Sequence, residues 1–237
     1  MMENARIYSN QELAGLCPGL SLVEDFITEE EELAMCCELD AKPWDNRLSR
    51  RVQHYGFEFD YASRMAVSNG STNSCNFPPQ CYRTVEQRLL ESTGICPKQF
   101  DQLTVNEYLP GQGIAPHVDS HSCFGNVMLS LSLIADICIR FVPKSTKLSA
   151  VGRVNLWLPR RSLLVMQGPS RLAFTHCIPA RSSDLVNGVV IKRQDRRVSL
   201  TFRSVRFPAQ CNCEFSDSCE VQDLVLTATR IAPRNHH

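Results

Sequence analysis

No stretch of about 18 apolar residues, the length a bilayer span needs, occurs in the 237-residue chain. No basic segment followed by a long apolar run opens it, so a secretory leader is not expected. Net charge is missing too: 25 Lys+Arg balance 25 Asp+Glu. That excludes the uniformly basic surface by which many nucleic-acid binders attract phosphate, and leaves only local patches for such a contact. No internal repeat appears. The expectation is a soluble, intracellular protein of the cytoplasm, with the nucleus as a second location.

What is plentiful is cysteine, with twelve residues, in a chain whose 43% hydrophobic content supports one large domain. Without a leader, reduced thiols or metal ligands are expected rather than disulfides. Cys36, Cys37 and Cys138 fall among apolar neighbours and read as small core residues.

Residues 1–19 show little periodicity and read as an irregular arm. Residues 20–26 read as a short strand. Thr28 followed by Glu29, Glu30 and Glu31 is a capping-box pattern for a helix that ends before Pro43. A second helix is expected after Thr84, with Gln87 as its box partner and Gly94 as its stop. Residues 68–79 have the composition of a loop. From residue 102 onward short strands follow at 103–109, 127–134, 137–142, 153–158, 162–166 and 197–205. The pattern is α+β, with N-terminal helices buttressing a C-terminal antiparallel β-sandwich or barrel.

Side chains alternate along a strand, so Thr104, Asn106 and Tyr108 share one face opposite Leu103 and Val105. Arg197, Ser199, Thr201 and Arg203 likewise oppose Val198, Leu200 and Phe202. Both strands fit an ordinary half-solvated sheet; together they suggest a polar-lined interior, where two guanidiniums could grip a short dicarboxylate. His117 and Asp119 share a face as well, and His176 follows in A-F-T-H-C. Two imidazoles and a carboxylate on one side of an octahedron suit a non-haem Fe(II) that must bind co-substrate and O2. Cys211, Cys213 and Cys219 make a metal-clip signal that lacks the fourth ligand of a closed zinc site; the plain alternative is an exposed cysteine-rich tail.

The H-V-D at 117–119, the later His176, the R-x5-R at 197–203 and the N-E-Y at 106–108 resemble the AlkB family of 2-oxoglutarate- and Fe(II)-dependent dioxygenases. So do R-R-V-Q-H-Y-G-F-E-F, P-H-V-D-S-H-S, T-H-C-I-P-A-R and the C-N-C beyond the last strand, with most similarity to the branch that hydroxylates wobble uridine in tRNA. The resemblance runs from about residue 20 to 219, leaving 1–19 as an arm and 220–237 as a tail. It implies a double-stranded β-helix (jelly-roll) with a nucleotide-recognition lid. It implies iron held by His117, Asp119 and His176, and 2-oxoglutarate held by Asn106, Tyr108, Arg197 and Arg203, with O2 as co-substrate. It also implies zinc held by His121 with Cys211, Cys213 and Cys219. In two places the sequence departs from the family: Ser199 stands where Asn is common, and Cys177 follows His176 where glycine is usual.

The implied reaction is hydroxylation of 5-methoxycarbonylmethyluridine in a tRNA anticodon loop. A demethylase of N-alkylated nucleobases would share every iron and co-substrate residue, and a non-catalytic RNA-binding scaffold would share the fold. Arg50, Arg51 and Tyr55, with Phe57, Phe59 and Tyr61 on the same strand, could face RNA by phosphate contact and stacking; the alternative is an aromatic row packed on a helix. The run K-R-Q-D-R-R at 192–197 is a further RNA candidate. A monomer is expected. With neither an RNA-recognition nor a methyltransferase tract of its own, the chain is expected either to work with a separate tRNA methyltransferase and its activator or to be a shortened form.

Overall fold

The computed structural model describes residues 3–60, 65–68, 77–206 and 211–220. The described chain opens with strand β1 (Asn4–Ala5) and helix α1 (Asn10–Leu16), so residues 3–19 are not the irregular arm expected. Ser9 Oγ accepts the Glu12 amide at 3.3 Å and the Glu12 carboxylate accepts the Ser9 amide at 2.8 Å, a reciprocal cap for two orphan donors. A helix this short is marginal alone. Docking holds it: Leu13 is fully buried, and the Asn10 side chain bonds both the N–H and the C=O of Leu22 in strand β2 (Leu20–Val23).

Helix α2 (Glu29–Asp40) has the expected Thr28–Glu31 capping box and stops before Pro43. Strands β3 (Val52–Asp60) and β4 (Met65–Ser68) follow, then helix α3 (Pro79–Thr93). α3 starts earlier than expected, because a proline in the first turn already has a helical φ and needs no donor there. Thr84 is buried inside it rather than capping it, while Gly94 ends it at φ 73°. The remaining elements are β5 (Gln102–Tyr108), β6 (Ile114–His117), β7 (Phe124–Leu133), β8 (Ile137–Pro143), β9 (Val154–Leu158), β10 (Leu163–Gln167), α4 (Pro169–Leu172), β11 (Phe174–Ile178), β12 (Ser183–Val186), β13 (Val189–Lys192) and β14 (Arg197–Val205).

A seven-stranded sheet in the order β2-β10-β7-β14-β5-β3-β4 faces a four-stranded sheet in the order β6-β11-β8-β9, and β1-β12-β13 form a small third sheet. This is the double-stranded β-helix within an α+β domain. The larger sheet separates two cores. On one face Leu103, Val105, Leu131, Val198, Leu200 and Phe202 pack against Met35 and Leu39 of α2 and Val85 and Leu89 of α3. On the other, Met128, Leu164 and Met166 meet Ile139, Phe141 and Leu156 of the smaller sheet. Each large side chain so buried contributes about 1.5–3 kcal/mol by leaving water.

The polar residues of β5 and β14 fall on the inner face, and their register sets the site: Tyr108 pairs with Arg197, Asn106 with Ser199 and Gln102 with Arg203. Glu32, 2% exposed, ties α2 to the sandwich by accepting the Ile134 amide at 2.7 Å and pairing with Arg160. Of the cysteines expected in the core, Cys138 is fully buried, Cys36 half-buried and Cys37 exposed. Cys37 is corrected to a surface thiol, since α2 turns its neighbour, not Cys37, toward the core. No described helix is long and apolar enough to cross a membrane.

Candidate active site

β6 and β11 are antiparallel neighbours with His117 directly opposite His176, and the two ring centroids lie 4.3 Å apart. Asp119, two residues beyond, brings its Oδ1 to 3.4 Å from His117 Nε2. The donor atoms of the three residues all lie within 4.8 Å of one another. His117 Nδ1 sits 2.8 Å from the Ala115 carbonyl. It donates there, since a carbonyl can only accept, which orients the ring and turns Nε2 toward Asp119.

Burial drives the His176 imidazole down to about 3, aided by the neighbouring His117, so it is a neutral donor at physiological pH. Burial opposes the charge on Asp119, but Arg203 and the imidazoles outweigh it and hold the carboxyl well below its usual value. Burial also opposes a charge on His117, and the Asp119 hydrogen bond and charge raise it regardless. Two nitrogens and one ionised carboxylate, clustered at one edge of a cleft, fit a facial Fe(II) site with open positions.

Further inside, the 2% exposed Arg197 donates through Nη2 to Ser132 Oγ at 2.8 Å. Its Nε and Nη1 are buried with no partner among the described residues, and its guanidinium lies 5.7 Å from the Tyr108 ring centre. An orphaned, buried, permanently charged fork is costly unless an anion meets it. The cavity it faces is also lined by Asn106, Tyr108, His117, His176 and Arg203, so an acid that reached Arg197 would run back toward the histidines. This arrangement fits a short dicarboxylate. Arg203 is placed differently: its Nε donates to Asp119 Oδ2 at 2.9 Å and its Nη1 to Gln102 Oε1 at 3.0 Å. It orients the carboxylate of the triad.

Neither departure from the family pattern disturbs this frame. Ser199 exchanges a hydrogen bond of 3.0 Å with Ser130 Oγ, so a buried hydroxyl pair stands where an amide is common. Cys177 pairs in register with Arg140 and is not among the residues with positive φ. Glycine is therefore not required there.

The other donor set lies beyond the turn after Asp119. His121 is 1% exposed, Cys211 and Cys219 are buried, and Cys213 is half-buried. The four donor atoms lie within 4.8 Å of one another, with His121 Nδ1 at 3.4 Å from Cys213 Sγ. His121 Nε2 is buried without a partner among the described residues. Burial lowers this imidazole to about 4 and pushes the Cys211 thiol up. A neutral imidazole with three thiols is a donor set for tetrahedral zinc.

The cleft over the triad encloses about 600 Å³ between Arg50, Phe124, Lys144 and Arg203. Arg50 reaches its rim, with Nε donating to Asn106 Oδ1 at 2.9 Å. Arg51 instead gives both arms of its fork to Glu107, the second at 2.6 Å. Tyr55 donates its hydroxyl to Gln53 and packs on the helix-side core, which is the buried-aromatic alternative rather than a stacking surface. The side chains of Phe59 and Tyr61 lie outside the described residues. Within 192–197, Arg193 is bound to the fully buried Asp184, and Arg196 to Asp40 and Glu107. Both arginines are spent on internal pairs, which leaves Lys192 as the exposed cation of the run. Glu220, placed in the tail by sequence, is anchored to Ser120 and Ser122; residues 221–237 lie outside the described residues. Two residues with a hold on the site, Arg171 and Glu220, were not legible, because neither stands in a periodic pattern.

The sequence model of a family described as "2OG-Fe(II) oxygenase superfamily" matches residues 19–203. Among curated proteins, "Alkylated DNA repair protein ALKBH8 homolog" of Arabidopsis thaliana is 35% identical, over 86% of this chain and 63% of its own length. "tRNA (carboxymethyluridine(34)-5-O)-methyltransferase alkbh8" of Xenopus tropicalis is 36% identical, over 87% of this chain and 35% of its own. The chain thus spans less than two thirds of either relative. "The structure of OsALKBH1" superposes with a TM-score of 0.60 at 17% identity, over 78% of this chain and 96% of that one, a likeness of fold.

Proposed function

Because the chain belongs to the 2OG-Fe(II) oxygenase superfamily and is a 2-oxoglutarate-dependent dioxygenase of AlkB type, we propose that it hydroxylates a modified wobble uridine, 5-methoxycarbonylmethyluridine, in the anticodon loop of tRNA. The family brings Fe(II), 2-oxoglutarate and O2. When bound, these supply oxidation of an unactivated C–H bond, with 2-oxoglutarate leaving as succinate and CO2.

In this reading His117, Asp119 and His176 hold the iron. His117 is held by the Ala115 carbonyl and Asp119 by the Arg203 guanidinium, so both ligands are oriented before metal arrives. Arg197 receives the distal carboxylate of 2-oxoglutarate through the two N–H groups that are otherwise orphaned, with Tyr108 beside it and Asn106 further along the cavity. That pair of orphaned donors carries the reading: a buried charge without a partner is best explained by a ligand that completes it. His121, Cys211, Cys213 and Cys219 hold zinc, which closes the segment beyond β14.

The substrate rests on the two relatives, one named for carboxymethyluridine at position 34 of tRNA, and on a cleft wide enough for a base above the triad. Arg50 and Lys144 are cations on its lining. The methyl ester would come from a separate methyltransferase activity. Residues 20–219 form the oxygenase unit in this proposal.

Nucleoside mass spectrometry of modified tRNA after incubation with the protein, Fe(II) and 2-oxoglutarate tests it. One added oxygen on the modified uridine is the expected result. Formaldehyde with a restored unmodified base would replace hydroxylation by demethylation. No RNA-dependent succinate at all would return the chain to the scaffold alternative.

A further inference from the structure

Arg171 on α4 is 3% exposed, and among the described residues it makes no ion pair. A guanidinium taken from water without a counter-charge depends on the donors it can satisfy. Here Nη1 donates to the carbonyl of Asp119 and Nη2 to the carbonyl of Ser120, both at 2.8 Å, while Nε is buried with no partner among the described residues. The same short segment is gripped a second time. One oxygen of Glu220 accepts from Ser120 Oγ at 2.6 Å and from the amide and hydroxyl of Ser122 at 2.9 Å each. One more bond closes the circuit, from Ser218 Oγ to the carbonyl of Leu172, next to Arg171, at 2.8 Å.

These bonds form a ring that runs from α4 to residues 119–122, on to 218–220 and back to α4. Asp119, His121 and Cys219 all stand on it, one from the histidine–aspartate set and two from the histidine–cysteine set. Neither end of the segment can shift without breaking bonds held by the other. We propose that Arg171 is a positioning residue that couples the two donor sets, so that filling the histidine–cysteine clip fixes the placement of the Asp119 carboxylate and tightens metal binding at His117, Asp119 and His176. The inference rests on the assignment of these two sets to two metals.

The test measures Mn(II) binding to the full chain, read from the electron paramagnetic resonance signal of the free ion, before and after zinc is stripped. Arg171→Lys keeps the charge but loses the planar fork. It should weaken Mn(II) binding by about tenfold to a hundredfold, the usual effect of losing an outer-sphere partner, while retaining one zinc per chain. Stripping zinc should weaken Mn(II) binding in the wild type by a similar factor and in Arg171→Lys by much less, since the link is already cut. A role in folding alone would not produce that non-additivity.

The inference is overturned if Arg171→Lys binds Mn(II) like the wild type, or if zinc removal weakens both proteins equally. Should Arg171→Lys fail to fold, Glu220→Gln enters the same cycle with the same expected and refuting outcomes. His176→Ala separates the two levels: if it leaves Mn(II) binding unchanged, the assignment of the triad fails and this inference with it.

Discussion

Replacing Arg197 by Met should have opposite consequences with and without co-substrate. Without it, the wild type carries a buried guanidinium with two nitrogens unpartnered among the described residues, and an apolar residue of similar length relieves that penalty. The free variant should be at least as stable as the wild type, less the single bond to Ser132. With 2-oxoglutarate, removing one partner of a buried, hydrogen-bonded charge pair costs about 2–5 kcal/mol, or about 30-fold to several thousand-fold in Kd. Thermal unfolding with added 2-oxoglutarate and Mn(II) reads both effects. At a concentration of about 100 times Kd the wild type gains about 2.7 kcal/mol, which for a chain of this size raises Tm by about 5–10 °C. The same concentration should raise the variant by about 3 °C or less. A variant that kept the full shift would refute the placement of the distal carboxylate at Arg197. One whose free form melted many degrees lower would show the arginine to be structural.

The two donor sets should separate by mutation: His117→Ala should lose iron and keep zinc, and His121→Ala should lose zinc and bind iron about tenfold to a hundredfold more weakly, as metal analysis of each purified variant would show; iron loss from His121→Ala with zinc retained would reverse the assignment. Glu107 is buried, which alone would raise its pKa, but Arg51 and Arg196 lower it. Its contribution is therefore complete above the unfolded value of about 4.3 and lost as pH falls through the lower folded value. Urea midpoints between about pH 5 and pH 3 should thus fall less steeply in Glu107→Gln than in the wild type, and equal slopes would contradict this. Ser9→Ala removes the α1 cap and should destabilise the protein by about 1 kcal/mol, measurable by urea titration; no change would mean that α1 adds nothing to the fold.

The site was legible where its chemistry coincides with local pattern. Strand alternation alone placed Asn106 and Tyr108 on one face and Arg197 and Arg203 on another, and the H-x-D spacing marked His117 and Asp119. A-F-T-H-C marked His176 as well, but its place directly opposite His117 follows only from the pairing of β6 with β11. The basic residues misled because their partners are remote in sequence: Arg51 meets Glu107, and Arg196 meets Asp40, across separations of 56 and 156 residues. No local window reveals that a cation is already neutralised. Helix α1 was missed for the opposite reason. Its capping box is present in the sequence, but so short a helix shows too little apolar periodicity to be read.

Two arginines stand side by side at the start of β14, and only one of them belongs in the cavity. In a strand, a slip of one residue exchanges the faces of every side chain, and here it would place the guanidinium of Arg196 where that of Arg197 should be. The misaligned strand would still offer a cation to a dicarboxylate, so ligand binding alone discriminates poorly between the two alignments. Glu107 and Asp40 supply the discrimination from outside, by claiming Arg196 for the helix side of the sheet. The acidic pair thus adds to the alignment that Val198, Leu200 and Phe202 already set from the helix-side core, and it keeps Arg196 out of the cavity.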